Sequence, residues 1–463
     1  MAAVTTAQGF TAGFKRVFKH DMKLADKDLK QARRRIRQSG FYVLEWTQIE
    51  QRLRSLRYQK LSKKTWRDCN NVYFALSIVD DVTYKQKSLA CLLPNIGASG
   101  EASSKAPKLS AVEIYLLVQL FGVIDANAMS LQGLMIAENY IKQFLPELHP
   151  EVHDDNEPCN DCIFVALDQQ QPPLVAKVNE HSELGHAINV GNFKSYLQTE
   201  YQLLLNQFRG QQPPSDNDKK DAGQAKPEMA NAEDIERLLA LRNMLKRLHG
   251  RERGDTRKYK DHEEDIFVFN GFTTSFNLLV TKDAGTDQED ALANQLNDAL
   301  AQRSAVMADS GTSEDATRWL IVNESKDGLL LRTKDTQYIK NLFVGQLTAY
   351  APSKQELKRP SIGYIVRIVR SDESYIEISL KILSSQIGGT AVQNRLLQKN
   401  AMGLPGILIF DTGRGKQLQL LLHQSHKLST GTAVTIQKSG RSYEQAIGKA
   451  DIIQREFVVY NLD

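Results

Sequence analysis

RWLIVNESKDGLLLR, residues 318–332, carries the reading of the fold. Arg318 to Val322 and Gly328 to Arg332 have the apolar composition of short strands, and Asn323, Ser325 and Gly328 stand on a one, three, six spacing where the two meet. A junction of this composition predicts two antiparallel strands closed by a tight turn. Two uses of the turn compete. Asn and Ser side chains cap their own backbone in turns and Gly adopts conformations closed to other residues, so hairpin closure accounts for all three. Alternatively, their polar groups are aimed at a ligand.

The same strand period runs outward on both sides. DIFVFNGF (265–272), IGYIVRIVR (362–370) and SYIEISLKIL (374–383) read as strands. In the last, Ile376, Ile378, Leu380 and Ile382 share one face, while Glu377, Ser379 and Lys381 share the other. Short strands between turns predict a small barrel. An acidic, Ala- and Gln-rich stretch at 281–316 reads as an insertion carrying a helix between the first two strands. GILIFDTG to EFVVYNLD (406–463) has its own strands and Gly turns and reads as a second small β domain.

Upstream the period is helical. Ser110 and Glu113 form an S-x-x-E capping box before VEIYLLVQLFGVI (112–124), which predicts a buried helix. Further helices are expected over about 129–145 and 193–208, with a short strand excursion in CIFVALDQQQPPLVAKV (162–178). Residues 209–232 have linker composition. Asn231 and Asp234 can cap a helix with Ile235, Leu238, Leu241, Leu245 and Leu248 in one stripe and Gly250 at its stop. The expected class is α+β. A helical amino-terminal domain (1–208), the linker (209–232) and a connecting helix (233–250) precede a small barrel (251–385, with the insertion at 281–316) and a carboxy-terminal β domain (386–463).

Composition sets bounds. A chain of 463 residues exceeds a single core, and about three domains of ordinary size are expected. No apolar run reaches the roughly 20 residues of a membrane helix. No secretory signal is apparent, and four cysteines argue against a disulfide framework, so a reducing cytoplasm is the expected location. The net charge of +4 conceals an asymmetry, because residues 1–75 carry 17 Lys and Arg against 6 Asp and Glu. Such an end suits nucleic acid, an acidic protein or an anionic membrane surface, or it is the solvated face of amphipathic helices.

Two constellations could carry chemistry. In RERGDTRKYK (251–260), directly before the first barrel strand, Arg253 and Arg257 stand four apart. Guanidinium groups can fork onto phosphate or pair with a guanine edge. An arginine loop, a first strand, an Asn323-x-Ser325-x-x-Gly328 turn, then LFVGQLTAY with Val344-Gly345, then a strand from Gly363 to Arg370, together resemble the PilZ domain, the bacterial receptor module for cyclic di-GMP. The likeness covers roughly 250–385. It implies a PilZ-like six-stranded antiparallel β-barrel whose ligand cyclic di-GMP is held by Arg253, Arg257, Asn323, Ser325 and Gly328. It also implies a cytoplasmic binding and signalling protein, with no catalytic residue and no cofactor, whose helical half meets a partner. Three features depart from the family's pattern: 66 positions separate Arg257 from Asn323, Arg247 and Arg251 offer a second arginine register, and Ser379 stands where a Gly is often found.

The second constellation is His149, His153, Cys159 and Cys162, which could hold zinc, although only one C-x-x-C occurs and acidic residues surround it. A zinc-dependent enzyme is therefore one rival reading. The other is a nucleic-acid- or ribosome-associated protein, using basic residues 1–75 and the carboxy-terminal β domain and carrying a degenerate, non-binding PilZ-like scaffold.

Overall fold

A computed structural model describes residues 2–25, 29–78, 82–83, 85–88, 108–152, 161–166, 172–173, 175, 185–208, 231–250, 258–283, 317–334, 342–352, 360–371, 375–394, 403–410, 418–426, 428–438 and 441–463. The chain divides into two compact units, Met1–Tyr201 with Leu239–Glu252 and Gln202–Leu238 with Arg253–Asp463. The class is α+β, with helices in the amino-terminal half and two closed six-stranded barrels in the carboxy-terminal half.

In the first unit, α1 (Ala2–Ala25) and α2 (Leu29–Ser55) form an antiparallel hairpin. Phe10 stacks on Trp46 at 4.4 Å, and Phe14 meets Tyr42 at 4.9 Å. At the hairpin's open end Glu50 accepts from Gln8 and from Arg54, at 3.0 and 2.7 Å. A Cβ on Gly40 would stand 2.8 Å from Leu76 of α3 (Lys63–Ile78) and 3.0 Å from Phe18, so a glycine is what lets three helices meet there. Two short strands, β1 (Gln86–Lys87) and β2 (Lys108–Leu109), pair before α4 (Ala111–Val123).

The Ser110–Glu113 capping box is present: the Glu113 N–H donates to Ser110 Oγ, and the Ser110 N–H donates to Glu113 Oε2 at 2.7 Å. As its continuous apolar run predicts, α4 is buried on nearly every side. Gln119, which this burial takes fully inside, donates to Asn70 Oδ1 at 3.0 Å. α5 (Leu131–Phe144) follows, then β3 (Pro150–Val152), β4 (Cys162–Ala166) and β5 (Gly185–Asn189) in a sheet of order β3-β5-β4, then α6 (Gly191–Phe208). α7 (Ala232–Leu248) begins in the second unit and ends in the first. The Asp234 N–H donates to Asn231 Oδ1 at 2.9 Å, the five stripe residues are buried, and Gly250 closes the helix at φ +79°.

In the second unit, the strands β6 (Lys258–Asn270), β7 (Thr317–Ser325), β8 (Gly328–Thr333), β9 (Leu347–Ala351), β10 (Ser361–Arg370) and β11 (Ile376–Ser384) close in the order β10-β11-β8-β7-β6-β9. Trp319, Leu331, Ile368, Ile376 and Ile378 fill the interior. After it, β12 (Ile387–Asn394), β13 (Leu404–Ile409), β14 (Gln419–His423), β15 (Ala433–Lys438), β16 (Arg441–Ile453) and β17 (Phe457–Leu462) close a second barrel, order β12-β13-β14-β17-β16-β15. The expected second β domain is thus a barrel in its own right.

One expectation needs correcting between these strands. The first strand ends at Asn270, and Gly271, at φ +98°, turns the chain into α8 (Phe272–Asp283). Phe272, Phe276 and Leu279 recur at helical spacing and lie in one core with Leu347, Ala349, Ile362 and Tyr364 of the first barrel and Ala391, Ile407, Leu421, Phe457 and Val459 of the second. Residues 281–283 therefore end a core helix; the rest of the expected insertion lies outside the described residues.

A single carboxylate ties this arrangement together. Glu456, in the turn before β17, accepts from the Phe272 N–H at 2.8 Å and from the Leu347 N–H at 2.7 Å. The first of these donors belongs to the opening turn of α8, where N–H groups have no partner inside the helix. Burial pushes the Glu456 carboxyl up to about 6, and the two N–H bonds oppose that rise. Its neighbour Arg455 pairs with Glu236 at 3.1 Å and lies over the Phe343 ring. Gly345 adopts φ +89°, a backbone conformation that residues with a Cβ rarely take, where it packs against Gln454 and Arg455, which gives the Val344-Gly345 step a conformational reason.

Candidate functional site

The turn between β7 and β8 has two residues, Lys326 and Asp327, closed by the pair Ser325 and Gly328. Ser325 Oγ donates to the Gly328 carbonyl at 3.3 Å, so the hydroxyl takes part in closing the hairpin. The Asp327 carbonyl accepts from the Ile382 N–H at 3.0 Å, which pins the turn to β11. A Cβ on Gly328 would stand 2.8 Å from the Leu380 carbonyl oxygen. The glycine is required by the close approach of β8 and β11, whatever else it meets.

Register decides which way these groups face. Leu329 and Leu331 are buried in the barrel, so Gly328 and Leu330 lie on its outer side. Directly paired residues share a face: Asn323 is opposite Leu330, Ser325 is opposite Gly328, and Lys381 of β11 is opposite Gly328 from the other side. Ser325, Gly328 and Lys381 therefore lie together on one outer patch, combining a hydroxyl, a ledge without a side chain and an ammonium group, and Asn323 shares that face by register. Asn323 is nevertheless only 5% exposed. Lys381 is exposed and was not singled out from the sequence, where it was one member of an alternating polar face.

Arg251, Arg253 and Arg257 lie outside the described residues, but the strand they lead into does not. β6 pairs with β7 through Lys258 opposite Glu324 and Tyr259 opposite Asn323, followed by an irregularity before Glu264. Lys258, directly after Arg257, thus stands across from the residue between Asn323 and Ser325. Arg247, the described member of the second arginine register, belongs to α7 and forms an ion pair with Asp125.

Of the four possible zinc ligands, His153 and Cys159 lie outside the described residues. Cys162 is disulfide-bonded, so in this state its sulfur is no thiolate for a metal. A low cysteine count argues against a framework of bridges, not against a single bond. Cys69 is free and buried, and burial pushes its thiol far up. Among the described residues no group of three or more His, Cys, Asp and Glu is arranged to hold a metal ion, and no helix is long and apolar enough to cross a membrane. No family model, curated protein or solved structure matches the chain.

Proposed function

We propose that the chain is a cyclic di-GMP-binding effector, in which the outer patch of the first barrel takes the nucleotide and the helical half carries the output to a protein or nucleic-acid partner. The observation that carries this reading is the pairing of Lys258 with Glu324 and of Tyr259 with Asn323. It starts the first strand, one residue after Arg257, beside the turn whose amide and hydroxyl suit a guanine edge. In this reading Arg253 and Arg257 fork onto phosphate or stack over the purine, Asn323 and Ser325 meet the base, Gly328 admits it close to the backbone, and Lys381 adds a cation for phosphate. Amide, hydroxyl and cations bind and orient; the reading is of a receptor, not an enzyme.

Calorimetry on the full chain with cyclic di-GMP, GTP and cyclic AMP tests it. Binding of cyclic di-GMP alone is the expected result, with Lys381→Ala weakening it by up to about 5-fold, since a solvent-exposed ion pair contributes at most about 1 kcal/mol. No heat with cyclic di-GMP overturns the proposal. Ser325→Ala separates the hydroxyl's two uses. Stability without ligand should fall by less than about 1 kcal/mol, from loss of the bond to Gly328. The ligand-induced rise in melting temperature should shrink as well, because it scales with RT ln(1 + [L]/Kd). A rise of wild-type size would leave Ser325 with hairpin closure alone.

A further inference from the structure

In the second barrel, register brings aromatic and cationic side chains together at the end of the β15–β16 hairpin. Ile436 is opposite Tyr443, and Lys438 is opposite Arg441. Paired residues share a face, as do residues two apart in a strand, so Lys438, Arg441 and Tyr443 lie on the side of the buried Ile436. Glu444, opposite Thr435, alternates to the other side. The Lys438 ammonium lies over the Phe410 ring, 3.9 Å from its centroid. A Cβ on Gly388 of β12 would stand 2.9 Å from that ammonium and 3.5 Å from the ring, so a bare stretch of strand gives the lysine its place. Phe410 is still 37% exposed and Tyr443 46%. Neighbour by neighbour, the group runs Phe410, Lys438, Arg441, Tyr443, with a ring at each end and two cations between.

Like charges directly opposite each other weaken a strand pair. Arg441 is exposed, and no carboxylate pairs with it among the described residues. An anion set beside the two cations removes their repulsion, and the planar fork of arginine matches phosphate oxygens. The exposed rings add π faces on which a planar group can stack. Phosphate alternating with planar bases is the chemistry of a nucleic-acid strand, and in a single strand the bases are open to stacking. A protein covering the same surface would have to desolvate two cations side by side, and a lipid surface calls for an apolar face set apart from the cations. We propose that this end of the second barrel binds single-stranded nucleic acid, with bases stacked on Phe410 and Tyr443 and phosphate held at Arg441 beside Lys438, independently of the nucleotide patch on the first barrel.

The test is fluorescence anisotropy of labelled 12-nucleotide DNA and RNA strands, and of the matching duplexes, with the full chain from 25 to 200 mM KCl and no cyclic di-GMP. Strands should bind at least about 5-fold more tightly than duplexes, the worth of one stacked base. Tyr443→Ala and Phe410→Ala should each weaken strand binding roughly 5- to 150-fold, the range for one base on an aromatic ring, while Tyr443→Phe keeps it. Tyr443 is the more exposed ring, so its variant serves if Phe410→Ala does not fold. Arg441→Ala should flatten the fall of log K with log salt by about 0.7. Absence of strand binding at 50 mM KCl overturns the proposal and leaves the two rings to a protein partner. Equal affinity for duplex overturns it too, because stacking then has no part. Strand binding of wild-type strength in folded Tyr443→Ala would move the contact to another surface, such as basic residues 1–75, and overturns it as well.

Discussion

Replacing Glu456 by alanine is expected to lower the stability of the second unit by about 2 to 4 kcal/mol, measured by chemical denaturation. The substitution strands two buried N–H donors, Phe272 at the start of α8 and Leu347 at the start of β9. Each unsatisfied donor costs about 1 to 3 kcal/mol, and relief of the buried charge offsets part of that. The same carboxyl gives a pH signature. Its pKa is raised from 4.5 to about 6 in the fold, chiefly by burial, so the folded state holds this proton more tightly than the unfolded chain does. The associated stability is complete below pH 4.5 and is lost as pH rises through 6, about 2 kcal/mol in all, of which roughly 1 kcal/mol disappears between pH 5 and 7. Glu456→Gln, which keeps an acceptor but cannot ionise, should lose this slope. An unchanged slope would place the titrating group elsewhere.

Arg257→Ala is expected to weaken cyclic di-GMP binding about 10- to 150-fold, the equivalent of roughly 1.5 to 3 kcal/mol for hydrogen bonds to a charged group. Lys258, its neighbour, is the residue that pairs with Glu324 beside the turn. Arg247 serves as the control. It is engaged by Asp125 at the end of α7, so Arg247→Ala should destabilise the first unit and leave the dissociation constant unchanged. The reverse pattern, with Arg257 silent and Arg247 or Arg251 required, would move the ligand to the other arginine register.

Features encoded within a few residues were legible in the sequence. The Ser110–Glu113 and Asn231–Asp234 caps, the α7 stripe and the alternation of Ile376, Ile378 and Leu380 are all fixed by neighbours in the chain. α8 is hidden in the sequence because Phe272 continues the apolar letters of DIFVFN, so that the strand reads on to 272 and the insertion from 281, and only Gly271 marks the change of period. Glu456 carried no signal, since its partners are backbone groups 184 and 109 positions away. The site was half legible. Asn323, Ser325 and Gly328 lie within six residues of one another in the chain, whereas Lys381 reaches Gly328 only through the pairing of β8 with β11. The packing of Gly328 against Leu380 also shows that a motif glycine can have a second employer inside the barrel.

Closure of both barrels limits how anything can attach to them. A sheet with an open side offers a ladder of unpaired amides to which a stranger's extended segment can zip, whether a signalling peptide or the next molecule in a fibril. In each barrel every strand has a neighbour on either side. A partner must therefore read side chains and turns, and recognition on these surfaces can be changed residue by residue without exposing a seam along which chains would polymerise.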